Sequence, residues 1–498
     1  MRPPDQKEIQ AKRLFITRTL AVLVFVLVAM TAILLRLYWL QIQHHDHYKT
    51  LATDNRIKLL PLPPARGEIY DRNGVVLAKN ITSVDLFITP DQVDDIPAVI
   101  AELQEIVTIT EEDIQRFGKL RRRLRRFEQV PIRTGLTDEE MAQFAVERHR
   151  FRGVDLGVNL RRYYPFGELT AHVVGYIGRI NERELERIDK AAYAGTSHIG
   201  KTGLERFYEE QLHGDVGVQR VEIDAMGHII RILETQPPVT GEDIQLHFDI
   251  ELQKIAFEAL GEHAGSVVVI DVKTGGVLAM ASKPSFDANL FVNGISFKDY
   301  NALRDDSGNP LFNRAINGSY PPGSTVKPFI GLAGLETQTV NHVQSIYCPG
   351  HYRIKNAGRT FRDWKRTGHG TIDLEKSIEQ SCDVYYYDLA YSMGIDKMHD
   401  YLAQFHFGKQ TGIDMPAETS AVLPSQEWKK RRYKQSWLPG DTVNAGIGQG
   451  YFLVSPVQLA YATAVLAADG KLIHPRLASR IGKQSALSPG AEMESIHT

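Results

Sequence analysis

Apolar positions change their spacing several times along the chain, and each change predicts an element. From Leu20 to Leu35 sixteen residues run without a charge. That stretch makes about 24 Å of helix, and extension through Tyr38, Trp39 and Leu40, with Arg36 snorkelling to the interface, reaches the roughly 30 Å hydrocarbon core. The pattern predicts one membrane span over 20–40. Arg2, Lys7, Lys12, Arg13 and Arg18 precede it, so the positive-inside rule keeps residues 1–19 in the cytoplasm and exports the rest. A cleaved signal peptide is the competing reading, disfavoured because the run is long and no small-x-small site follows it.

Polar residues 41–65 end in Pro61-Leu-Pro-Pro64 and lead into Arg66-Gly67-Glu68-Ile69-Tyr70-Asp71-Arg72-Asn73-Gly74, which predicts a hairpin with an Asn-Gly turn. Over 91–150 Glu, Arg and Leu recur at helical spacing; the basic cluster from Lys119 to Arg126 reads as a solvated helix face rather than a lipid or partner contact. Gln236-Pro237-Pro238 marks a linker. Beyond it, 243–248 predicts a strand and 250–263 an amphipathic helix. Ser266–Ile270 and Val277–Ala281 then predict two apolar strands around a glycine turn. A strand pair, a long insertion and a helix opening at Ser324 describe an α+β fold with helices packed on a central antiparallel sheet. The expected organisation is a tail over 1–19, an anchor over 20–40, an elongated pedestal over 41–240 and a catalytic domain over 241–498.

Length and charge narrow the class. A chain of 498 residues needs two or three domains beyond an anchor. A formal net charge of −2 gives nothing that points to nucleic acid.

The chemistry concentrates at Tyr320-Pro321-Pro322-Gly323-Ser324-Thr325-Val326-Lys327, the one Ser-x-x-Lys of the sequence. A serine hydroxyl is a weak nucleophile until a neighbouring base takes its proton, and residues three apart on a helix share a face. Lys327 is therefore placed to serve Ser324 as its base. A second constellation is Cys348, Asp363, His369 and Cys382, four zinc-type ligands within 35 residues. These residues leave three states open: a structural zinc, a Cys348–Cys382 disulfide, or free buried thiols.

Several ordered motifs resemble the class B penicillin-binding proteins: the Pro-Pro-Gly-Ser-Thr-Val-Lys run, Arg66 to Gly74, Asp271-x-x-Thr-Gly-x-Val-Leu-Ala-Met280, and Gly446-Ile-Gly-Gln-Gly450 with its continuation to Ala460. Asp363-Trp364-Lys365 with Gly368-His369-Gly370, and Gly200-Lys-Thr-Gly-Leu-Glu205, are similar to the elongation, or rod-shape, branch. The resemblance implies an inner-membrane peptidoglycan D,D-transpeptidase. Its serine would attack the penultimate D-Ala carbonyl of a stem pentapeptide and pass the acyl group to a neighbouring amine, or to water as a carboxypeptidase. Beta-lactams would acylate the same serine. It also implies a lipid II glycosyltransferase of the rod complex and a periplasmic rod-shape regulator as partners.

In this superfamily Ser-x-x-Lys is joined by Ser-Asp-Asn and Lys-Thr-Gly. Ser381-Cys382-Asp383 is the middle element, with Asp in place of Asn. Ser381 is assigned to relaying a proton between Lys327 and the amine, and Asp383 to orienting the site. If the segment is extended or turned, these two side chains face the cleft while the Cys382 thiolate points behind it. The resemblance favours zinc over the disulfide, because relatives of this branch carry zinc here. Lys201-Thr-Gly203 and Lys273-Thr-Gly275 both precede Ser324, and no Lys-Thr-Gly follows Asp383. The expectation is that the chain lacks the last strands of its catalytic sheet and is inactive or nearly so. The alternatives are a septal transpeptidase and a non-catalytic scaffold or beta-lactam-binding module; a serine beta-lactamase would need neither anchor nor pedestal.

Overall fold

The computed structural model describes residues 6–44, 56–122, 126–224, 229–354, 359–486 and 495–496. The helix Gln6–Tyr38 continues as a π-helical turn over Trp39–Gln43. Within it, Arg13–Gln43 is long and apolar enough to cross a membrane, and none of its most apolar stretch is buried against the rest of the chain. Thr17, Thr19 and Thr31 each return their hydroxyl to the carbonyl four residues back, at 2.8 Å. Their polar atoms are therefore satisfied inside the helix.

Two compact units emerge. One comprises 1–62 with 217–237. Its described part beyond the helix is a three-stranded antiparallel sheet in the order Ile57–Leu62, Gly217–Ile223, Ile229–Gln236. Arg231 pairs across two strands with Glu222 at 2.6 Å.

The second unit holds 63–216 and 238–498. The hairpin at 71–75 forms with Gly74 at φ +84°, and the Asp71 carboxylate accepts from Asn73 N and Val75 N at 2.8 Å each. Ile69–Tyr70 and Val76–Ile88 are its two arms. They join a seven-stranded mixed sheet, in which Ile244–Leu246 runs parallel to Ile69–Tyr70 and antiparallel to Ala478–Ile481. The helical spacing over 91–150 resolves into Ile96–Leu103, Glu111–Arg121 and Asp138–Glu147. Thr110 and Thr137 close capping boxes at two of them. In the basic cluster, residues 123–125 lie outside the described residues.

A buried ion cluster ties two sequence motifs together. Arg66 donates to Glu205 at 2.6 Å and to Glu209 at 2.7 Å, while Arg162 reaches the other Glu205 oxygen at 2.7 Å. Glu205 is held below the usual carboxylate range against its burial by these two guanidiniums. The Arg66-Gly67 and Gly200–Glu205 stretches are thus two halves of one charge-compensated joint.

The predicted strand pair forms as Gly265–Ile270 and Val277–Lys283, a two-stranded antiparallel sheet among the described residues. The helix Ile250–Ala259 packs on its second strand and Pro456–Ala467 on its first. Next to it, a core of Val326, Phe329, Ile330, Tyr386, Leu402, Phe405 and Phe452 surrounds the helices Lys327–Glu336 and Asp383–Met393. Phe329 meets Phe405 and Phe407 edge to face at 5.2 Å. That core sets the floor on which the site is built.

Candidate active site and metal centre

Pro321 and Pro322 stiffen the approach, and Gly323 takes φ +59°. The chain then makes a 3₁₀ turn over Gly323–Val326 before the α-helix Lys327–Glu336 begins. In a 3₁₀ turn residues three apart eclipse one another, so Ser324 and Lys327 share a face. Ser324 is exposed, whereas Lys327 is 1% exposed beneath it.

Gly448 explains how this turn is held. It sits at φ +69°, and a Cβ there would come within 2.3 Å of the Gly323 carbonyl oxygen. Gly323 N donates to Gly448 O at 2.9 Å, and Tyr320 and Val454 exchange two backbone bonds at 2.9 Å. The Gly446–Gly450 motif, quoted above only as a likeness, is thus a backbone cradle for the Ser324 turn. The sequence reading gave Gly448 no role, although a glycine in a Gly-x-Gly-x-Gly run is the available signal for close backbone approach.

Ser381 joins the helices Leu374–Glu379 and Asp383–Met393 in the left-handed region, at φ +51°. A serine there is strained, and the strain points its hydroxyl into the site. Ser381 Oγ donates to Ser324 Oγ at 2.8 Å. Lys327 Nζ donates to Ser381 Oγ at 3.1 Å, to Ser381 O at 2.9 Å and to Asp383 Oδ1 at 2.6 Å. Asp383 occupies the first position of its helix, where a carboxylate complements the helix dipole.

The structure brings Ser324, Lys327, Ser381 and Asp383 together. It corrects one detail of the expectation: no direct hydrogen bond joins Ser324 to Lys327. The three N–H groups of the lysine are taken up by Ser381 and Asp383, so the route between nucleophile and base runs through the Ser381 hydroxyl.

Cys382 lies between those two residues and turns the other way, fully buried. Its thiol approaches Asp363 Oδ2 at 3.4 Å, as Cys348 Sγ does at 3.6 Å. His369 Nδ1 is 3.5 Å from Cys348 Sγ and 3.7 Å from Asp363 Oδ1. All four ligand atoms lie within 4.8 Å of one another. Strand pairing accounts for this, because Ile346–Cys348 runs against Gly370–Ile372 with Cys348 opposite Gly370, next to His369. Asp363 also accepts Val384 N at 3.1 Å, fastening the cluster to the helix that carries Asp383.

Both cysteines are free thiols. Burial pushes the Cys382 thiol up from its ordinary value. Zinc–ligand bonds of about 2.0–2.3 Å give tetrahedral edges of about 3.3–3.8 Å. Three contacts that share single ligand atoms, Cys382 Sγ and Cys348 Sγ to Asp363 Oδ2 and Cys348 Sγ to His369 Nδ1, fall inside that range at 3.4, 3.6 and 3.5 Å. His369 Nε2 is buried without a hydrogen-bond partner among the described residues.

The two Lys-Thr-Gly copies are engaged elsewhere. Lys201 pairs with Glu184 at 2.5 Å. Lys273-Thr-Gly275 forms the turn between the strands Gly265–Ile270 and Val277–Lys283, clasped by the Asp271 carboxylate through Lys273 N and Thr274 Oγ1 at 2.9 and 2.8 Å. The second copy is thus the glycine turn expected between these two strands.

Comparison with known proteins adds the family. Residues 61–246 match the penicillin-binding protein dimerisation domain, and residues 265–495 match the penicillin-binding protein transpeptidase domain. The chain belongs to the class B penicillin-binding proteins. It is 44% identical over 468 residues to the peptidoglycan D,D-transpeptidase MrdA of Acinetobacter baumannii, covering 94% of this chain and 70% of that relative. A complex between penicillin-binding protein 2 and MreC from Helicobacter pylori has a TM-score of 0.75 at 31% identity, over 87% of this chain and 82% of that one. A peptidoglycan synthase complex that coordinates polymerization and crosslinking gives 0.69 at 27% identity, over 96% and 82%. In this class B chain the site described above lies wholly within the stretch matched as a transpeptidase domain.

Proposed function

We propose that this chain is the D,D-transpeptidase of cell elongation and that Ser324, Ser381, Lys327 and Asp383 perform the acyl transfer. The MrdA relative and the transpeptidase match support the activity. The observation that carries the assignment of residues is the unbroken hydrogen-bond chain Ser324–Ser381–Lys327, with links of 2.8 and 3.1 Å.

In the forward step Ser324 Oγ bonds to the penultimate D-Ala carbonyl carbon. Its proton moves to Ser381 Oγ as the Ser381 proton moves to Lys327 Nζ in its amine form. The relay then runs backwards and protonates the leaving amine of the terminal D-Ala. An amine from a neighbouring stem, or water, takes the acyl group by the same path and restores Ser324. Asp383 holds Lys327 at the end of the relay. Release of D-Ala from a disaccharide pentapeptide, abolished by Ser324→Ala, tests this reading; release that survives the substitution would end it.

The donor set of Cys348, Asp363, His369 and Cys382 suits a structural zinc with no open position. Bound there, the metal would supply a rigid link behind Cys382 and leave the chemistry to its neighbours. The apolar helix and the basic residues ahead of it support a single-pass inner-membrane anchor with the N-terminus in the cytoplasm and the bulk in the periplasm. The similar complexes support a lipid II polymerase and an MreC-type regulator as partners. Beta-lactams follow as ligands of Ser324 from the family.

A further inference from the structure

The acyl-transfer mechanism leaves residues 425–451 without a role beyond the glycine cradle. Ser425 caps the helix Gln426–Tyr433, accepting Trp428 N at 3.1 Å. Lys429 turns inward from this helix and is 2% exposed. Its Nζ reaches Asp441 at 2.5 Å and lies over the rings of Tyr451 and Trp437, at 5.3 and 5.8 Å. Asp441 also accepts Leu438 N at 2.9 Å. This buried pair locks the helix to the segment Pro439–Ala445, which leads directly into the cradle under Ser324. Tyr451 follows Gly448 by three residues. The helix is therefore referenced to the nucleophile turn through a short, rigid path.

Its outward side is cationic and aromatic together. Lys430, Arg431, Arg432 and Lys434 are all exposed, and Glu427 is the one acid among residues 426–434. Among the described residues none of the four cations makes an ion pair, and a solvated helix end complementing its dipole would account for them alone. It does not account for the rings. Trp428, Tyr433 and Tyr451 pack on one another with centroids 5.4 to 5.6 Å apart, and Tyr433 remains 48% exposed. Rings fixed against a buried ion pair offer a rigid face to a flat partner such as a pyranose. Guanidinium forks recognise carboxylates. A polymer alternating sugar rings with carboxylate-bearing peptides presents both groups.

We propose that Lys430, Arg431, Arg432, Tyr433 and Lys434 form a docking surface for polymeric peptidoglycan, holding the glycan strand whose stem peptide enters at Ser324. The inference rests on the peptidoglycan reading of the site. A bilayer of anionic lipid would also attract the charges, and the vesicle arm of the test separates that outcome.

The test is co-sedimentation of the detergent-solubilised full chain, carrying Ser324→Ala, with purified sacculi. Replacing the four exposed cations together by Gln removes no buried contact and weakens binding about 10-fold at low salt, with a smaller loss at high salt. Tyr433→Ala weakens binding at both salt levels, and the pair Arg431→Lys and Arg432→Lys, which keeps the charge but loses the fork, retains only part of it. Sacculus binding unchanged in the four-Gln variant overturns the proposal. So does an equal or greater effect of that variant on pelleting with phosphatidylglycerol vesicles. D-Ala release by the unsubstituted chain is measured separately; its absence beside retained, charge-dependent sacculus binding would sink the acyl-transfer reading and leave this one standing.

Discussion

Gly448 approaches Gly323 so closely that a Cβ on the former would stand 2.3 Å from the carbonyl oxygen of the latter. The contact is backbone against backbone, so neither side can yield by a rotamer change. Position 448 also has a positive φ that L side chains rarely adopt. Gly448→Ala therefore displaces the Ser324 turn. The expected result is a loss of about 1–3 kcal/mol in unfolding free energy together with a larger fractional loss of penicillin acylation, followed by thermal melts and gel fluorescence.

Lys327 and Asp383 form a pair in which the lysine is nearly inaccessible and the carboxylate only slightly exposed. Asp383→Asn keeps an oxygen for the ammonium but removes the charge, with an expected cost of about 1 kcal/mol in the acylation barrier, about 5-fold in rate. Lys327→Met removes the base and costs the acylation rate about 10²-fold or more. Rate constants for both variants should therefore separate by at least an order of magnitude, with Asp383→Asn the faster.

Much of this arrangement was legible in the sequence. The Ser-x-x-Lys spacing put Ser324 over Lys327, and the alternation around Cys382 put its thiol behind the site. The Asn-Gly hairpin and the strand pair were equally plain. What the sequence hid is non-local. The Arg66–Glu205 joint spans residues 139 apart, and no local period announces it. The saturation of Lys327 by three acceptors, which forces the relay through Ser381, depends on a left-handed serine that propensity alone disfavours. The pairing of the strand Ile57–Leu62 with Gly217–Ile223, rather than with its sequence neighbours, was equally invisible.

His172 and His198 make stability depend on pH. Burial lowers each to about 4 from the ordinary 6.5, in His198 with help from the Arg179 charge. The unfolded chain takes up these protons first as pH falls, so the folded state keeps its full margin above about 6.5 and loses it between 6.5 and 4. Melting temperature should be flat above neutrality and fall through that window. His172 meets Phe286 edge-on at 5.3 Å, and His172→Phe should shallow the slope.

The cysteine cluster predicts one zinc per chain by metal analysis of protein purified without reductant. Two free thiols should appear by thiol titration only after chelation and unfolding. Chelation should lower the melting temperature, and Cys348→Ser should reproduce that loss while abolishing the metal. A metal-free protein with no titratable thiols would instead show a disulfide.

The central claim is that the proton of Ser324 travels through Ser381. Peptide mass spectrometry after prolonged incubation with a penicillin measures it most directly, comparing the unsubstituted chain with Ser381→Ala and Lys327→Met. The account predicts a penicilloyl adduct on the peptide carrying Ser324 and on no other, forming about 10²-fold more slowly in both variants. An adduct that forms in Ser381→Ala at the unsubstituted rate, or that sits on another residue, would contradict it.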